Sequence, residues 1–326
     1  MTDDEMMAHA AAVARAARAV ARPNPWVGAV VADARGTLLA SGATEAPGER
    51  HAEVVALDAV GAAGRGATLY VTLEPCAHTG RTPPCTERIV ASGVARVVVA
   101  VLDPDARVSG RGVEALRRAG VVVDVGCGHD EVAADLAPYL HQRSTGRPYV
   151  VLKWAATLDG RTAAPDGTSR WITSEPARRD VHQLRADSDA VLVGAGTVRA
   201  DDPELTVRLD GVEHQPLRVV LGDAPRNARV HPCLEFTGEL EALLDDLGAR
   251  GVLQLLVEGG ASVAHEFLAQ GLVNRVVAYV APTLLGGDDG APVLRGAGAP
   301  TIELARRGRF VSVATVGEDL RVELEI

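Results

Sequence analysis

The stretch 51–85 constrains this chain more than any other. It opens with His51-Ala52-Glu53 and closes with Leu73-Glu74-Pro75-Cys76-Ala77-His78-Thr79-Gly80-Arg81-Thr82-Pro83-Pro84-Cys85. One imidazole and two thiolates hold a tetrahedral Zn²⁺ and leave its fourth position to a water. A chain that brings His51, Cys76 and Cys85 together therefore builds an open metal centre rather than a closed structural one. A metal held this way lowers the pKa of that water from 15.7 to roughly 7. Glu53, two residues from the imidazole, is the carboxylate placed to move the protons. His-x-Glu alone carries little weight, because His129-Asp130-Glu131 repeats it with no Pro-Cys downstream and reads as an exposed helix start.

The information lies in the combination. His-x-Glu followed by Pro-Cys and a further Cys is the general signature of zinc nucleobase deaminases; a structural zinc or two buried thiols is the plainer reading. In this chain the last Cys follows an eight-residue loop, 77–84. The general signature has only two residues there. The pattern Pro-Cys-x-His-x-Gly-x-Thr-Pro-Pro-Cys resembles that of the bifunctional deaminase-reductase of riboflavin biosynthesis, a likeness that extends over almost the whole chain. The resemblance implies an N-terminal cytidine-deaminase-like three-layer α/β/α domain and a C-terminal dihydrofolate-reductase-like α/β domain, with Zn²⁺ and NADPH as cofactors.

Length and composition agree with two domains, since 326 residues with 47% hydrophobic content can bury more than one core. A net charge of −10 argues against a nucleic-acid binder, which needs a basic face for phosphates. The acidic start, Met1-Thr2-Asp3-Asp4-Glu5, has no basic or apolar leader segment, and no apolar run is long enough to span a membrane, so a cytoplasmic protein is expected, with small anionic substrates still open to it through local arginines. Of the four cysteines, Cys127 and Cys233 fall outside the metal stretch and read as inert buried thiols. Of 33 basic residues only Lys153 is a lysine, the compact, tunable cation that arginine cannot replace. The tryptophans, Trp26, Trp154 and Trp171, all lie in motif-like stretches, where they could stack on planar rings or pack in cores.

In chain order, 3–21 reads as an alanine-rich amphipathic helix capped by Thr2 or Asp3 and stopped by Pro23, and 29–32 with 37–41 as a hairpin. Residues 51–60 read as a helix. Positions two apart do not share a helix face, so His51 and Glu53 should occupy its first, irregular turn. A buried strand at 67–73 leads to Cys76, expected at a helix N-terminus that favours a thiolate. Strands at 96–102 and 121–125 around a helix at 112–119 complete a five-stranded α/β layer. A helix over 130–142 then runs into the polar Gly/Pro stretch 143–148, which places the domain boundary near Thr145 and the domains at 1–145 and 146–326.

The second domain begins with a strand at 149–156, followed by a helix ending near Arg185 and a buried strand at 190–193 that runs into Gly194-Ala195-Gly196-Thr197. Arg199 stands where a third glycine would complete a dinucleotide fingerprint, so a standard Rossmann site is not expected. Between strands at 217–221 and 253–257 there is room for one helix, 238–249, and a loop.

Thr197-Val198-Arg199-Ala200-Asp201-Asp202-Pro203-Glu204-Leu205-Thr206-Val207-Arg208 and Leu255-Leu256-Val257-Glu258-Gly259-Gly260-Ala261 look like the reductase half of the same family. The resemblance implies that Asn24 and His78 face the pyrimidine. It places Ala155, Trp171, Thr173, Thr197, Asp201, Gly260, Ala261 and Ser262 at NADPH, and Ser169, Arg185, Leu205, Arg208 and Glu258 at the substrate. Arg185 and Arg208 suit a ribose phosphate through bidentate hydrogen bonds, and Lys153 is the candidate polarising cation at the sugar. The family pattern differs in three places: Asp103-Pro104-Asp105-Ala106 stands for Asp-Pro-Asn-Pro, the resembled reductases carry an additional strand-and-helix unit between 221 and 253, and Gly222 replaces an acidic residue usual at that strand end, although Asp223 follows.

The reading is a bifunctional enzyme: hydrolytic deamination of 2,5-diamino-6-(5-phosphoribosylamino)pyrimidin-4-one, then NADPH reduction of the ribosyl group of 5-amino-6-(5-phosphoribosylamino)uracil. One alternative keeps the deaminase but makes the second domain a ligand-binding or dimerisation scaffold. Another is a nucleic-acid base deaminase. The resemblance also implies a homo-oligomer built through the second domain.

Overall fold

The computed structural model describes residues 1–80, 82–105, 108–212 and 214–326. The chain divides into two compact units, Met1–Gly146 and Arg147–Ile326.

In the first unit, Thr2 and Glu5 cap helix α1 (Asp3–Ala21) reciprocally: Glu5 N donates to Thr2 Oγ1 at 3.2 Å and Thr2 N to Glu5 Oε2 at 2.8 Å. The buried face of α1 is Met6, Met7 and five alanines. These small side chains let the helix lie so close to strand β1 (Gly28–Ala32) that a Cβ on Gly28 would meet Ala10 O at 2.0 Å. Strand β2 (Leu38–Ala43), helix α2 (Ala52–Val60), strand β3 (Thr68–Leu73), helix α3 (Cys85–Ser92), strand β4 (Arg96–Val101), helix α4 (Arg111–Arg118) and strand β5 (Val122–Val125) follow. They form one sheet in the order β2-β1-β3-β4-β5. Strand β1 is antiparallel to both its neighbours, whereas β3, β4 and β5 are parallel. The C-terminal ends of β3 and β4 open together, the usual place for a site in such a sheet.

The single helix expected over 130–142 is two, α5 (His129–Asp135) and α6 (Ala137–Thr145). Pro138, in the first turn of α6, has no N–H to continue the ladder from α5. The thiols of Cys127 and Cys233 are half-buried, not buried; Cys127 donates to Asp4 Oδ1 at 3.3 Å.

The second unit is built on an eight-stranded sheet. Its elements are β6 (Tyr149–Thr157), β7 (Arg161–Ala163), α7 (Glu175–Ala186), β8 (Ala190–Gly194), α8 (Ala195–Asp201), β9 (Leu217–Leu221), β10 (Leu234–Phe236), α9 (Leu240–Ala249), β11 (Gln254–Val257), α10 (Ala261–Ala269), β12 (Arg275–Ala281), β13 (Ala291–Pro292), β14 (Arg309–Val316) and β15 (Asp319–Glu325). The main sheet runs β10-β9-β8-β11-β6-β12-β15-β14, and β13 pairs with β7 apart from it. Its first six strands are parallel; β15 and β14 close it antiparallel. Leu240, Leu243, Leu244 and Leu247, spaced for one helix face, pack with Phe267 against Leu152, Leu192 and Leu255 of the central strands.

The interval between β9 and β11 therefore contains an edge strand, β10, as well as the expected helix. Three residues are too few to display a period of two, which hides this strand from a pattern reading. Among the described residues no helix is long and apolar enough to cross a membrane.

Candidate active sites

His51 is the N-cap of α2, with an extended backbone (φ −77°, ψ 160°). Its Nδ1 lies 3.2 Å from Cys85 Sγ and 3.8 Å from Cys76 Sγ. Tetrahedral zinc with bonds of about 2.3 Å to sulfur and about 2.0 Å to nitrogen sets those atoms roughly 3.5 Å apart. The donor set and its spacing fit that ion, and all three ligand atoms lie within 4.8 Å of one another. His51 Nε2 faces Thr82 Oγ1 at 3.4 Å, which leaves Nδ1 for the metal.

It is Cys85, not Cys76, that opens a helix. Cys76 lies in the loop after β3, and the Cys85 N–H at the start of α3 donates to Cys76 Sγ at 3.3 Å. The expected stabilisation of a thiolate survives by this route: the Cys85 thiol, then the His51 ring and the Cys85 N–H, hold Cys76 well below the ordinary thiol range. Sharing its proton with Cys76 pushes Cys85 up.

Glu53 is 3% exposed. Burial pushes its carboxyl up to about 7, and the Cys76 thiolate adds to the rise. A carboxyl poised there exchanges protons readily at neutral pH, and a cation in the triad would draw it down.

Around this centre a cavity of about 340 Å³ is lined by Asn24, His51, Glu53, Cys76 and His78, all singled out in the sequence. It is also lined by Thr82 and Asp103, named there only as members of motifs, and by Tyr139 and Arg143, which were not singled out. His78 Nδ1 is buried with no hydrogen-bond partner, a polar atom suited to a ligand. Tyr139 donates to Asp103 Oδ2 at 3.0 Å, and burial pushes the Asp103 carboxyl up. Of the pair Asp105-Ala106, Ala106 lies outside the described residues.

Sequence reasoning also passed over Glu74. Its buried carboxylate accepts from Gly110 N at 2.9 Å, Gly112 N at 2.8 Å and Val113 N at 3.2 Å, capping α4 and tying the segment before Cys76 to it. A Cβ on Gly112 would meet Pro75 O at 2.0 Å. Gly112→Ala is therefore expected to push Pro75-Cys76 away from α4, costing about 1–3 kcal/mol and weakening zinc retention. Denaturant titration and competition with a chelator would check this; an unchanged midpoint and unchanged zinc affinity would refute it.

The second cavity, about 820 Å³, opens at the C-terminal ends of β6, β8 and β11. Among its lining residues are Lys153, Ala155, Ser169, Trp171, Thr173, Arg185, Thr197, Asp201, Leu205, Arg208, Glu258, Gly260 and Ala261. Ser262, exposed in the first turn of α10, lies outside this lining. A Cβ on Gly260, the N-cap of α10, would come within 3.3 Å of Thr197 Oγ1, so the glycine leaves a gap between two helix starts whose N–H groups suit a pyrophosphate. Trp171 is 69% exposed, with the Arg178 guanidinium 4.4 Å and that of Arg170 5.9 Å from its ring. Leu205 is buried with a left-handed backbone (φ 56°), a strained conformation of the kind found at sites.

At the cavity floor Arg185 does not offer its fork to a phosphate. Its Nε and Nη2 donate to the two oxygens of Glu258 at 2.6 and 3.1 Å, and Nη1 donates to Thr206 O at 3.1 Å. Lys153 Nζ lies 3.6 Å from Glu258 Oε2. Burial alone would raise the Glu258 carboxyl, but Arg185 and Lys153 outweigh it and hold it at about 2. Burial lowers Lys153, with Glu258 opposing. Arg208, 3.5 Å from Glu204 and exposed, remains at the rim as the guanidinium open to an anion.

Comparison with known proteins agrees with this two-part layout. Residues 1–101 match the cytidine and deoxycytidylate deaminase zinc-binding region, and residues 148–322 match the RibD C-terminal domain. The chain is 46% identical to the riboflavin biosynthesis protein RibD of Mycobacterium tuberculosis, over 93% of this chain and 91% of that one. Its fold is similar to that of Acinetobacter baumannii RibD, with a TM-score of 0.92 and 37% identity over 99% and 98% of the two chains. It is likewise similar to a diaminohydroxyphosphoribosylaminopyrimidine deaminase/5-amino-6-(5-phosphoribosylamino)uracil reductase from Thermotoga maritima, with a TM-score of 0.89 and 33% identity over 99% and 98%.

Proposed function

This chain belongs to the RibD family of bifunctional deaminase-reductases of riboflavin biosynthesis, and on that premise we propose which molecules it turns over and which residues do so. The first domain deaminates 2,5-diamino-6-(5-phosphoribosylamino)pyrimidin-4-one. The second reduces the product, 5-amino-6-(5-phosphoribosylamino)uracil, with NADPH. The carrying observation is a buried carboxylate, Glu53, beside a His51-Cys76-Cys85 triad of zinc spacing. The net charge of −10 supports a small phosphorylated substrate over a nucleic acid.

His51 Nδ1 and the two thiolates would hold zinc, which when bound would lower the pKa of a water to roughly 7 and so provide a hydroxide nucleophile at neutral pH. Glu53 takes that water's proton and returns protons to the ring nitrogen and the departing ammonia. Asn24 and the unpartnered His78 Nδ1 hold the pyrimidine in the cavity.

When bound in the second domain, NADPH would supply the hydride for C1′ of the ring-opened ribosylamine. Ala155, Trp171, Thr173, Thr197, Asp201, Gly260 and Ala261 hold the dinucleotide, with Gly260 leaving space beside Thr197 for the pyrophosphate. Ser169, Leu205 and Glu258 meet the substrate, and Arg208 at the rim takes its phosphate. Arg185 positions Glu258, and Lys153 polarises the open sugar.

The test is incubation of the zinc-loaded protein with the diaminopyrimidine, followed by mass. A gain of about one dalton without NADPH is expected from replacing an amino group by oxygen, and a further gain of about two daltons with NADPH from hydride and proton. Absence of the first gain overturns the deaminase assignment, and absence of the second overturns the reductase assignment.

A further inference from the structure

Among the described residues a second group of metal-binding side chains lies outside the lining of the second cavity: His231, Cys233 and Glu235, with one ligand atom from each within 4.8 Å of the others. His231 and Cys233 lie in the turn that leads into β10 and Glu235 lies within it, and the fold brings the three ligand atoms together there. His231 Nδ1 and Cys233 Sγ are 3.5 Å apart. That matches the roughly 3.5 Å that tetrahedral zinc imposes between nitrogen and sulfur ligands.

Both outer ligands are anchored from behind. The other nitrogen of His231, Nε2, donates to Pro225 O at 2.9 Å, so its Nδ1 lone pair is the one left facing the thiol. Ala224 N donates to Glu235 Oε2 at 3.0 Å, which holds the carboxylate and leaves it a second oxygen. These are the outer-shell contacts that fix tautomer and orientation in metal sites. The imidazole and thiol are half-buried and the carboxylate is exposed, so an ion has a way in.

We propose that His231 Nδ1, the Cys233 thiolate and one oxygen of Glu235 form a second metal site, one for a zinc-class divalent cation. Binding releases the Cys233 proton to solvent, involves no redox change, and leaves the fourth position to water. Nitrogen, sulfur and oxygen in one tetrahedral set favour zinc over magnesium or calcium, which take oxygen alone.

The site is a clip. Its anchors, Ala224 and Pro225, lie just after β9 and its ligands enter β10, so an ion would tie the two ends of the loop between them. The middle of that loop carries Arg229, whose N–H donates to Asp202 Oδ1 at 2.8 Å and whose guanidinium pairs with Glu204 at the wall of the second cavity.

The test is metal content after saturation with Zn²⁺ and gel filtration, with Co²⁺ absorption as a report on thiolate ligation. The intact chain is expected to hold two ions, and Cys233→Ala one, with deamination unchanged. Cys76→Ser/Cys85→Ser is expected to keep one ion, lost on adding Cys233→Ala. Zinc should also protect Cys233, but not Cys127, from alkylation. A single ion in the intact chain, or two in Cys233→Ala, overturns the proposal. Neither of those two measurements depends on folding of the variant that lacks the first site.

Discussion

Glu53→Gln is expected to leave zinc bound and to slow deamination by at least about 10²–10⁴-fold, the usual worth of a positioned acid-base group. The amide keeps the size and shape of the side chain. It cannot accept the water's proton or return one to the leaving ammonia. The ion stays because its donors are His51 Nδ1 and the sulfurs of Cys76 and Cys85, which Glu53 only neighbours. In the metal-free chain folding is expected to be unharmed or slightly favoured, because the carboxylate sits in a place whose burial pushes its protonation up to about 7. NADPH-dependent reduction of separately supplied phosphoribosylamino-uracil should be unchanged, since its residues lie in the other unit. Ammonia release, metal content and NADPH oxidation measured on the same preparation read all three. Full ammonia release with zinc in place would remove Glu53 from the mechanism.

The features legible in the sequence were those whose signal is local. Helix α1 announces itself through Thr2, Glu5 and its alanine spacing. The metal triad is visible because histidine and cysteine, nine and four of 326 residues, are rare enough for their combination to be informative. What stayed hidden depends on partners distant in sequence. Glu74 sits inside the recognised motif, yet its work is to cap a helix at Gly110, Gly112 and Val113. Arg185 looked like a phosphate ligand because an arginine's type does not reveal that Glu258, 73 residues on, fills its fork. Strand β10 is too short for a period, and its pairing with β9 is decided by the sheet rather than by its own residues. The solitary Lys153 stood out by composition, and the structure adds its partner, Glu258, at 3.6 Å.

Replacing Glu258 by glutamine is expected to destabilise the second unit by about 3–5 kcal/mol, the cost of leaving buried charge without its partner, and to abolish the reduction. Arg185 and Lys153 are 12% and 15% exposed at their side chains, so water cannot take over from the carboxylate. The loss should depend on pH in a definite direction. In the folded chain Glu258 titrates at about 2, below its ordinary 4.5, so as pH falls the unfolded chain takes up the proton first. Its contribution is whole above about 4.5 and fades as pH falls toward 2, so the stability gap between the parent and Glu258→Gln should narrow in acid. The alkaline side has the opposite sign. Burial already lowers Lys153 from 10.5, and without Glu258 nothing opposes it. In the variant the unfolded chain then binds the lysine proton more tightly than the folded one, so its stability should rise as pH climbs from neutral toward 10.5. Denaturant titrations of parent and variant across the acid and alkaline ranges measure both slopes. A gap that stays constant with pH would mean that lost packing, and not unpaired charge, is what the substitution costs.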